Sequence, residues 1–83
     1  MNTISVIVID DHSLFRAGVI QTLQFDEGII VVGEGGTGQD AIDLALDHAP
    51  DVALIDISMP GDGMVAARRI AESAQSTRVV MLT

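Results

Sequence analysis

The chain has 83 residues, which is enough for one small domain with a single hydrophobic core. Four Lys and Arg residues against twelve Asp and Glu residues give a formal net charge of −8, so the clustered basic residues that bind nucleic-acid phosphates are lacking. The absence of cysteine excludes disulfides, thiolate catalysis and cysteine-based zinc sites. Because no apolar run approaches the roughly 20 residues of a membrane span, we expect a soluble, cytoplasmic protein without a membrane partner.

The first half of the chain predicts two strands around one helix. Ile4–Ile9 is almost continuous in β-branched residues, which is typical of a strand covered on both faces. Ser13–Gln24 then has apolar residues at helical spacing, with Ser13 or Asp11 as the expected N-cap. Residues 29–32 predict a second strand, followed by a glycine-rich turn.

The second half of the chain repeats the alternation of helix and strand. Thr37 and Asp40 resemble a capping box at the start of a second helix, and Pro50 ends that helix. The remaining elements are a third strand, a third helix and a fourth strand, at residues 52–55, 64–72 and Arg78–Leu82. This order predicts an α/β fold with right-handed crossovers and a doubly wound parallel sheet.

Carboxylates follow two of the predicted strands. Asp10 and Asp11 come after the first strand, and Asp56 comes after the third. Because ligands of α/β sheets bind beyond the carboxyl ends of the strands, we expect these side chains to share one pocket. Crowded carboxylates repel each other unless a cation joins them, which favours Mg²⁺ and a phosphate opposite Asp56. The hydroxyl of Thr83, after the fourth strand, can bind another phosphate oxygen.

A competing motif lies between the second strand and the second helix. Residues 33–38, from Gly33 to Gly38, match G-x-G-x-x-G, and Asp56 follows roughly 20 residues later, as in dinucleotide-binding proteins. Glu34 counts against this hypothesis, because it lies in the turn that must approach a pyrophosphate and the sequence offers no nearby cation. The simpler interpretation is a flexible turn that leads into a capped helix.

Three stretches together resemble a known family: VIVIDDHSLFRAGV, VVGEGGTGQDAIDLA and PDVALIDISMPGDG. They are similar to the receiver (CheY-like) domain of bacterial two-component response regulators, and most similar to NarL/LuxR-type transcriptional regulators. The resemblance implies a flavodoxin-like fold with helices on both faces and strand order 2-1-3-4. It identifies residues 1–83 as the N-terminal part of a receiver domain, without the family's fifth strand, last two helices and output domain.

The resemblance also implies a role for each candidate site residue. Asp56 would accept a phosphoryl group from a phosphohistidine of a sensor histidine kinase. Asp10 and Asp11 would hold Mg²⁺ with Asp56 and the backbone carbonyl of Ser58, and Thr83 would be the switch hydroxyl. The protein would then control an output such as transcription. It would not be an enzyme beyond its own phosphorylation and dephosphorylation.

Two further hypotheses remain open at this stage. Family members have a fifth strand ending in a lysine that contacts the phosphate, and this chain lacks it, so a phosphorylation-independent interaction module is the main alternative. A metal-dependent phosphatase with an aspartate nucleophile is less favoured. Such an enzyme prefers a D-x-D pattern after the first strand, whereas Asp10 and Asp11 are adjacent.

The expected partners follow from the same comparison. They are a sensor kinase, a second copy in a homodimer or domain-swapped oligomer, and DNA only through an output domain that this chain does not contain. An open fourth strand and an uncovered apolar sheet face predict that the isolated chain is marginally stable, exchanges elements with a neighbour, or aggregates.

Overall fold

The computed structural model describes residues 2–59 and 63–82. Strands and helices alternate along the chain as β1 (Ile4–Ile9), α1 (Ser13–Gln24), β2 (Ile29–Gly35), α2 (Gly38–His48), β3 (Val52–Asp56), α3 (Gly63–Ser73) and β4 (Arg78–Leu82). The four strands are parallel and lie in the order β2-β1-β3-β4. This confirms the predicted doubly wound sheet. No helix within the described residues is long and apolar enough to cross a bilayer.

The main hydrophobic core lies on one face of the sheet, under α2 and α3. Alternate residues of β1 and β3 point to this face and meet small or branched side chains of the two helices. The buried cluster consists of Ile7, Ile9, Ala41, Ala45, Ala53, Ile55, Met59, Ala66 and Ile70. Among the described residues α2 and α3 contact each other, whereas α1 contacts only β1 and β2, so α1 covers the opposite face.

The face under α1 is only partly covered. No residue of α1 is buried, and Leu14 and Phe15 are 78% and 49% exposed. On β4, Val80 is 41% exposed. A groove of about 460 Å³ runs along α1 and is lined by Leu14, Phe15, Gly18, Val19, Thr22 and Leu23. The domain therefore presents apolar surface to water on this side of the sheet.

Strand β2 is longer than the sequence predicted, because it continues to Gly35. Its last residues pair with the end of β1, so that Gly33 lies opposite Ile7 and Gly35 opposite Ile9. A register shift between Val6 and Ile7 accompanies this extension. Pairing with a buried central strand satisfies backbone groups that a free turn would leave to water. The first half of the glycine-rich segment is therefore strand, not turn.

The caps of the first two helices differ in how well the sequence predicted them. The N-cap of α1 is His12, with no side-chain hydrogen bond, so the expectation of Ser13 or Asp11 was wrong. At α2 the predicted cap by Thr37 is confirmed, because its hydroxyl accepts a hydrogen bond from the amide of Asp40 at 3.0 Å. The Asp40 carboxylate accepts from the amide of Gly36, one residue before the position that a capping box requires. At the start of α1 the amide of His12 donates instead to Oδ1 of Asp10 at 2.8 Å.

The end of β2 needs a glycine because α2 packs closely against it. A Cβ added to Gly35 would lie 2.5 Å from Cβ of Asp40 and 2.9 Å from its Oδ2. Since backbone must shift to relieve this overlap, we expect Gly35→Ala to lower the free energy of unfolding by about 1–3 kcal/mol. Urea unfolding followed by far-UV circular dichroism measures the effect.

The matched control is Gly18→Ala in the middle of α1. A Cβ there would meet nothing within 4 Å, so alanine should raise the free energy of unfolding by up to about 1 kcal/mol through helix propensity. Equal unfolding free energies for the two variants would contradict the close packing at Gly35.

Candidate functional site

Three carboxylates lie together at the carboxyl edge of the sheet. Strands β1 and β3 are neighbours with Ile9 opposite Ile55, which brings the residues that follow, Asp10 and Asp56, side by side. Asp10, Asp11 and Asp56 each offer a carboxylate oxygen, and these oxygens lie within 4.8 Å of one another. Asp10 and Asp56 are 1% and 8% exposed, whereas Asp11 is open to solvent.

Asp10 has one oxygen that nothing in the described part of the chain satisfies. Its Oδ1 accepts a hydrogen bond from the amide of His12 at 2.8 Å, which fixes the turn before α1. Its Oδ2 is buried without a hydrogen-bond partner among the described residues. Leaving a buried polar atom unpaired costs about 1–3 kcal/mol. A hard divalent cation with oxygen ligands would satisfy this atom and offset the repulsion of the carboxylates, so the site fits Mg²⁺.

Ser58 holds Asp56 in place. The Oδ1 atom of Asp56 accepts hydrogen bonds from the amide of Ser58 at 2.9 Å and from its hydroxyl at 2.7 Å. The amide and then the hydroxyl lower the pKa of Asp56, and together they outweigh the opposing effect of burial. Asp56 is therefore an ionised carboxylate at neutral pH. The sequence analysis did not predict the hydrogen bond from the Ser58 hydroxyl to Asp56. It assigned a role only to the backbone carbonyl of Ser58, as a metal ligand.

Removing the Ser58 hydroxyl should change stability in a pH-dependent way. We expect Ser58→Ala to move the pKa of Asp56 partly back toward its ordinary value and to lower the unfolding free energy at neutral pH by about 1 kcal/mol. A carboxyl with a lower pKa in the folded than in the unfolded state stabilises the fold above its unfolded pKa. That contribution is lost as the pH falls through the folded pKa, so the two proteins should converge in acid.

Urea unfolding at a series of pH values, with an NMR titration of the Asp56 carboxyl carbon, tests this expectation. Ser73→Ala, at an exposed position near the end of α3, is the matched control. A stability difference that stays constant down to strongly acidic pH would mean that the hydroxyl acts without regard to the charge of Asp56.

Arg16 of α1 connects the loop between β1 and α1 (residues 10–12, the acidic loop) with the end of β2. Its Nε donates a hydrogen bond to Oε1 of Glu34 at 2.9 Å. Its Nη1 donates to the carbonyl oxygens of Asp10 at 2.5 Å and Gly35 at 3.3 Å. The expectation that Glu34 has no nearby cation was therefore wrong. Sequence reasoning missed Arg16, since its partners lie 6 to 19 positions away.

The geometry of the glycine-rich segment does not favour dinucleotide binding. Gly33, Glu34 and Gly35 lie in β2 rather than in an open loop before a helix. The amide of Gly36, which a phosphate would need, donates instead to Oδ2 of Asp40 at 3.0 Å. A carboxylate at that position would repel a pyrophosphate.

The predicted switch hydroxyl, Thr83, lies outside the described residues. The strand that precedes it ends beside the acidic site, because Leu82 pairs with Asp56 and its carbonyl accepts a hydrogen bond from the amide of Ile57 at 2.9 Å. The role of Thr83 therefore stays a prediction.

Comparison with known proteins identifies the family. The family model described as response regulator receiver domain matches residues 6–83. The response regulator UvrY of Escherichia coli (strain K12) is 46% identical over 81 residues, which cover 96% of this chain and 37% of UvrY. The chain thus spans well under half the length of this curated relative.

Two solved structures are similar to the whole chain. The signal receiver domain of NarL from Mycobacterium tuberculosis matches with a TM-score of 0.90 and 41% identity, over 98% of this chain and 66% of that one. RcsB from Salmonella enterica serovar Typhimurium matches with a TM-score of 0.89 and 30% identity, over 99% of this chain and 43% of that one. Since the family match runs from β1 to the last residue and the fold agrees, the chain belongs to the response regulator receiver domain family.

Proposed function

We propose that this chain accepts a phosphoryl group on Asp56 from a phosphohistidine of a sensor histidine kinase, and that the modification controls an output. The observation that most supports this proposal is the geometry of the acidic site. Asp56 is a nearly buried carboxylate with a lowered pKa, and it lies with two further carboxylates whose oxygens are within 4.8 Å. In this proposal residues 1–83 are the N-terminal part of a receiver domain.

Magnesium dependence is part of the proposal. Asp10, Asp11, Asp56 and the backbone carbonyl of Ser58 would hold the ion, and the unpaired Oδ2 of Asp10 supports a cation at this position. When bound, Mg²⁺ supplies positive charge that offsets the negative charge of the transferring phosphoryl group. The protein's own contribution is to lower the pKa of Asp56 through the hydrogen bonds from Ser58, and to fix Asp10 through the His12 amide, before the phosphodonor arrives.

The transfer itself is a displacement at phosphorus. A carboxylate oxygen of Asp56 forms a bond to phosphorus while the P–N bond of the phosphohistidine breaks. The electron pair of that bond stays on the imidazole nitrogen, which takes up a proton. The product is a mixed carboxylic–phosphoric anhydride. Its added negative charge would attract the hydroxyl of Thr83 in the phosphorylated state only, which biases a two-state loop.

The proposed output is transcription, exerted through a domain outside this chain. RcsB was solved bound to promoter rprA in the presence of the phosphomimetic BeF₃⁻, which supports a link between this kind of site and DNA binding. A net charge of −8 makes direct DNA contact by residues 1–83 unfavourable. The proposal includes a cytoplasmic location, and catalysis limited to the domain's own phosphorylation and dephosphorylation.

The decisive experiment is intact mass spectrometry after incubation with acetyl phosphate and Mg²⁺. We expect an adduct of one phosphoryl group on the chain, none on Asp56→Asn, and none when Mg²⁺ is chelated. Asp47→Asn, which removes an exposed carboxylate of α2, is the matched control and should be phosphorylated normally. Reduction of the adduct with borohydride, followed by peptide mapping, locates the modified side chain.

A folded chain that forms no adduct would overturn the proposal. The chain would then have receiver architecture without its phosphorylation chemistry, and the interaction module would become the better description.

A further inference from the structure

We infer that Arg16 is a positioning residue for the acidic site, and that Glu34, at the end of β2, orients it. The inference rests on the proposed function of Asp10 and Asp11 as metal ligands. It assigns a role to two residues that the phosphorylation chemistry does not use. It also accounts for the glycine-rich segment without a nucleotide.

Arg16 fixes the backbone at Asp10 from the side of α1. The amide of Asp10 donates a hydrogen bond to the carbonyl of Gly35 at 3.0 Å, and its carbonyl accepts one from Nη1 of Arg16 at 2.5 Å. Both backbone polar groups of Asp10 are therefore held. Since Oδ1 is held by the amide of His12, the direction of the unpaired Oδ2 is determined by these contacts.

Only an arginine can make all of these contacts at once. Its planar guanidinium donates to Glu34 through Nε, and to the carbonyls of Asp10 and Gly35 through Nη1. A lysine keeps the charge but lacks this fixed fork. With side-chain exposures of 19% for Arg16 and 54% for Glu34, the ion pair adds little stability by itself. The ion pair acts instead by orienting the guanidinium of Arg16 toward the carbonyls of Asp10 and Gly35.

Arg16 supports the acidic cluster without filling it. Among the described residues its hydrogen bonds go to Glu34 and to the carbonyls of Asp10 and Gly35. None of them goes to a carboxylate of the acidic cluster. The Arg16 charge is paired with Glu34, and the carboxylate oxygens of the cluster are not taken up by Arg16.

Gly36 brings the glycine-rich segment against the same loop. A Cβ added there would lie 3.3 Å from Nη1 of Arg16, 3.7 Å from the carbonyl oxygen of Asp10 and 3.8 Å from Cα of Asp11. The segment after β2 thus packs against the loop that carries Asp10 and Asp11. A Cβ at position 36 would therefore press only on the guanidinium of Arg16, since its other two contacts are at ordinary van der Waals distance.

The first test measures amide hydrogen exchange by NMR without metal. We expect Arg16→Lys to raise the exchange rates of the Asp10 and His12 amides about tenfold, with little change at Ile7 and Ile55 in the core. Glu34→Gln, at a largely exposed position, should raise the same exchange rates by a smaller factor. This second variant still tests the inference if Arg16→Lys folds poorly. Arg69→Lys, exposed on α3, is the control.

The second test is a Mg²⁺ titration of the same samples, with rates of phosphorylation by acetyl phosphate. Losing an outer-shell contact typically costs 10- to 100-fold in metal affinity, so we expect Arg16→Lys to raise the Kd for Mg²⁺ about tenfold. Saturating Mg²⁺ should restore the phosphorylation rate to within about twofold of the parent. A purely structural role would reduce the folded fraction without changing the affinity of the folded molecules.

Unchanged exchange at Asp10 and His12, or an unchanged Kd, in Arg16→Lys would overturn the inference. The inference would also be overturned if Arg16→Lys raised the exchange rates of the core amides as much as those of Asp10 and His12. Failure of the parent chain to bind Mg²⁺ would refute the proposed function instead, and the exchange data would still decide whether Arg16 orders the loop.

Discussion

Replacing Asp10 with asparagine is expected to stabilise the metal-free protein while slowing its phosphorylation about 100-fold. The two effects have one origin. Asp10 Oδ2 is buried without a partner among the described residues, and it lies in a cluster of three carboxylates. An asparagine amide can keep the acceptor for His12 and place a donor where the unpaired oxygen was.

The gain in stability comes from relieving repulsion and satisfying a buried atom. We expect the free energy of unfolding without Mg²⁺ to rise by about 1–2 kcal/mol in Asp10→Asn. The loss of rate follows because a neutral amide is a weak ligand for a hard cation. Opposite changes in stability and activity are typical of functional sites.

Urea unfolding in the presence of a chelator and intact-mass kinetics with acetyl phosphate measure the two effects. Asp47→Asn is again the matched control, since it removes one negative charge from an exposed position of α2. If Asp10→Asn were less stable than the parent without metal, the carboxylate cluster would not be the strained arrangement that its geometry indicates.

The second large effect is expected at the apolar face under α1. The groove beside Leu14 and Phe15 is open to solvent, and Leu14 is 78% exposed. Contiguous apolar surface of this kind favours association. We expect the 83-residue chain to self-associate at micromolar concentrations, and Leu14→Gln to weaken that association at least about tenfold.

Sedimentation velocity over a concentration series measures this association. Leu46→Gln is the matched control, because Leu46 is 57% exposed but lies on α2, away from the groove. The parent chain sedimenting as a compact, stable monomer at all concentrations would refute the prediction.

The sequence predicted the elements best where local patterns were strong. The bounds of β1, α1 and β4 agree with the structure, because β-branched runs and helical periodicity depend on each residue's own neighbours. The capping of α2 by Thr37 was predicted for the same reason. The sheet order came from resemblance to the receiver family, since crossover rules alone allow several orders.

Predictions from the sequence failed where residues far apart along the chain determine the local structure. Strand β2 extends to Gly35 because β1 is available to pair with it, and no local pattern contains that information. The N-cap of α1 is a local failure: it is His12, without a side-chain hydrogen bond, and the His12 amide donates to Asp10 two residues earlier.

The sequence by itself determined that carboxylates end two strands, and the strand-end rule then predicted one acidic pocket. Only the tertiary structure decided that Asp10 is left with an unpaired oxygen, that Ser58 holds Asp56, and that Arg16 joins α1 to β2. The physical reason is the separation along the chain between the residues that interact. Strand and helix patterns arise from neighbouring residues, whereas hydrogen bonds and burial at the site depend on side chains that only the folded sheet brings together.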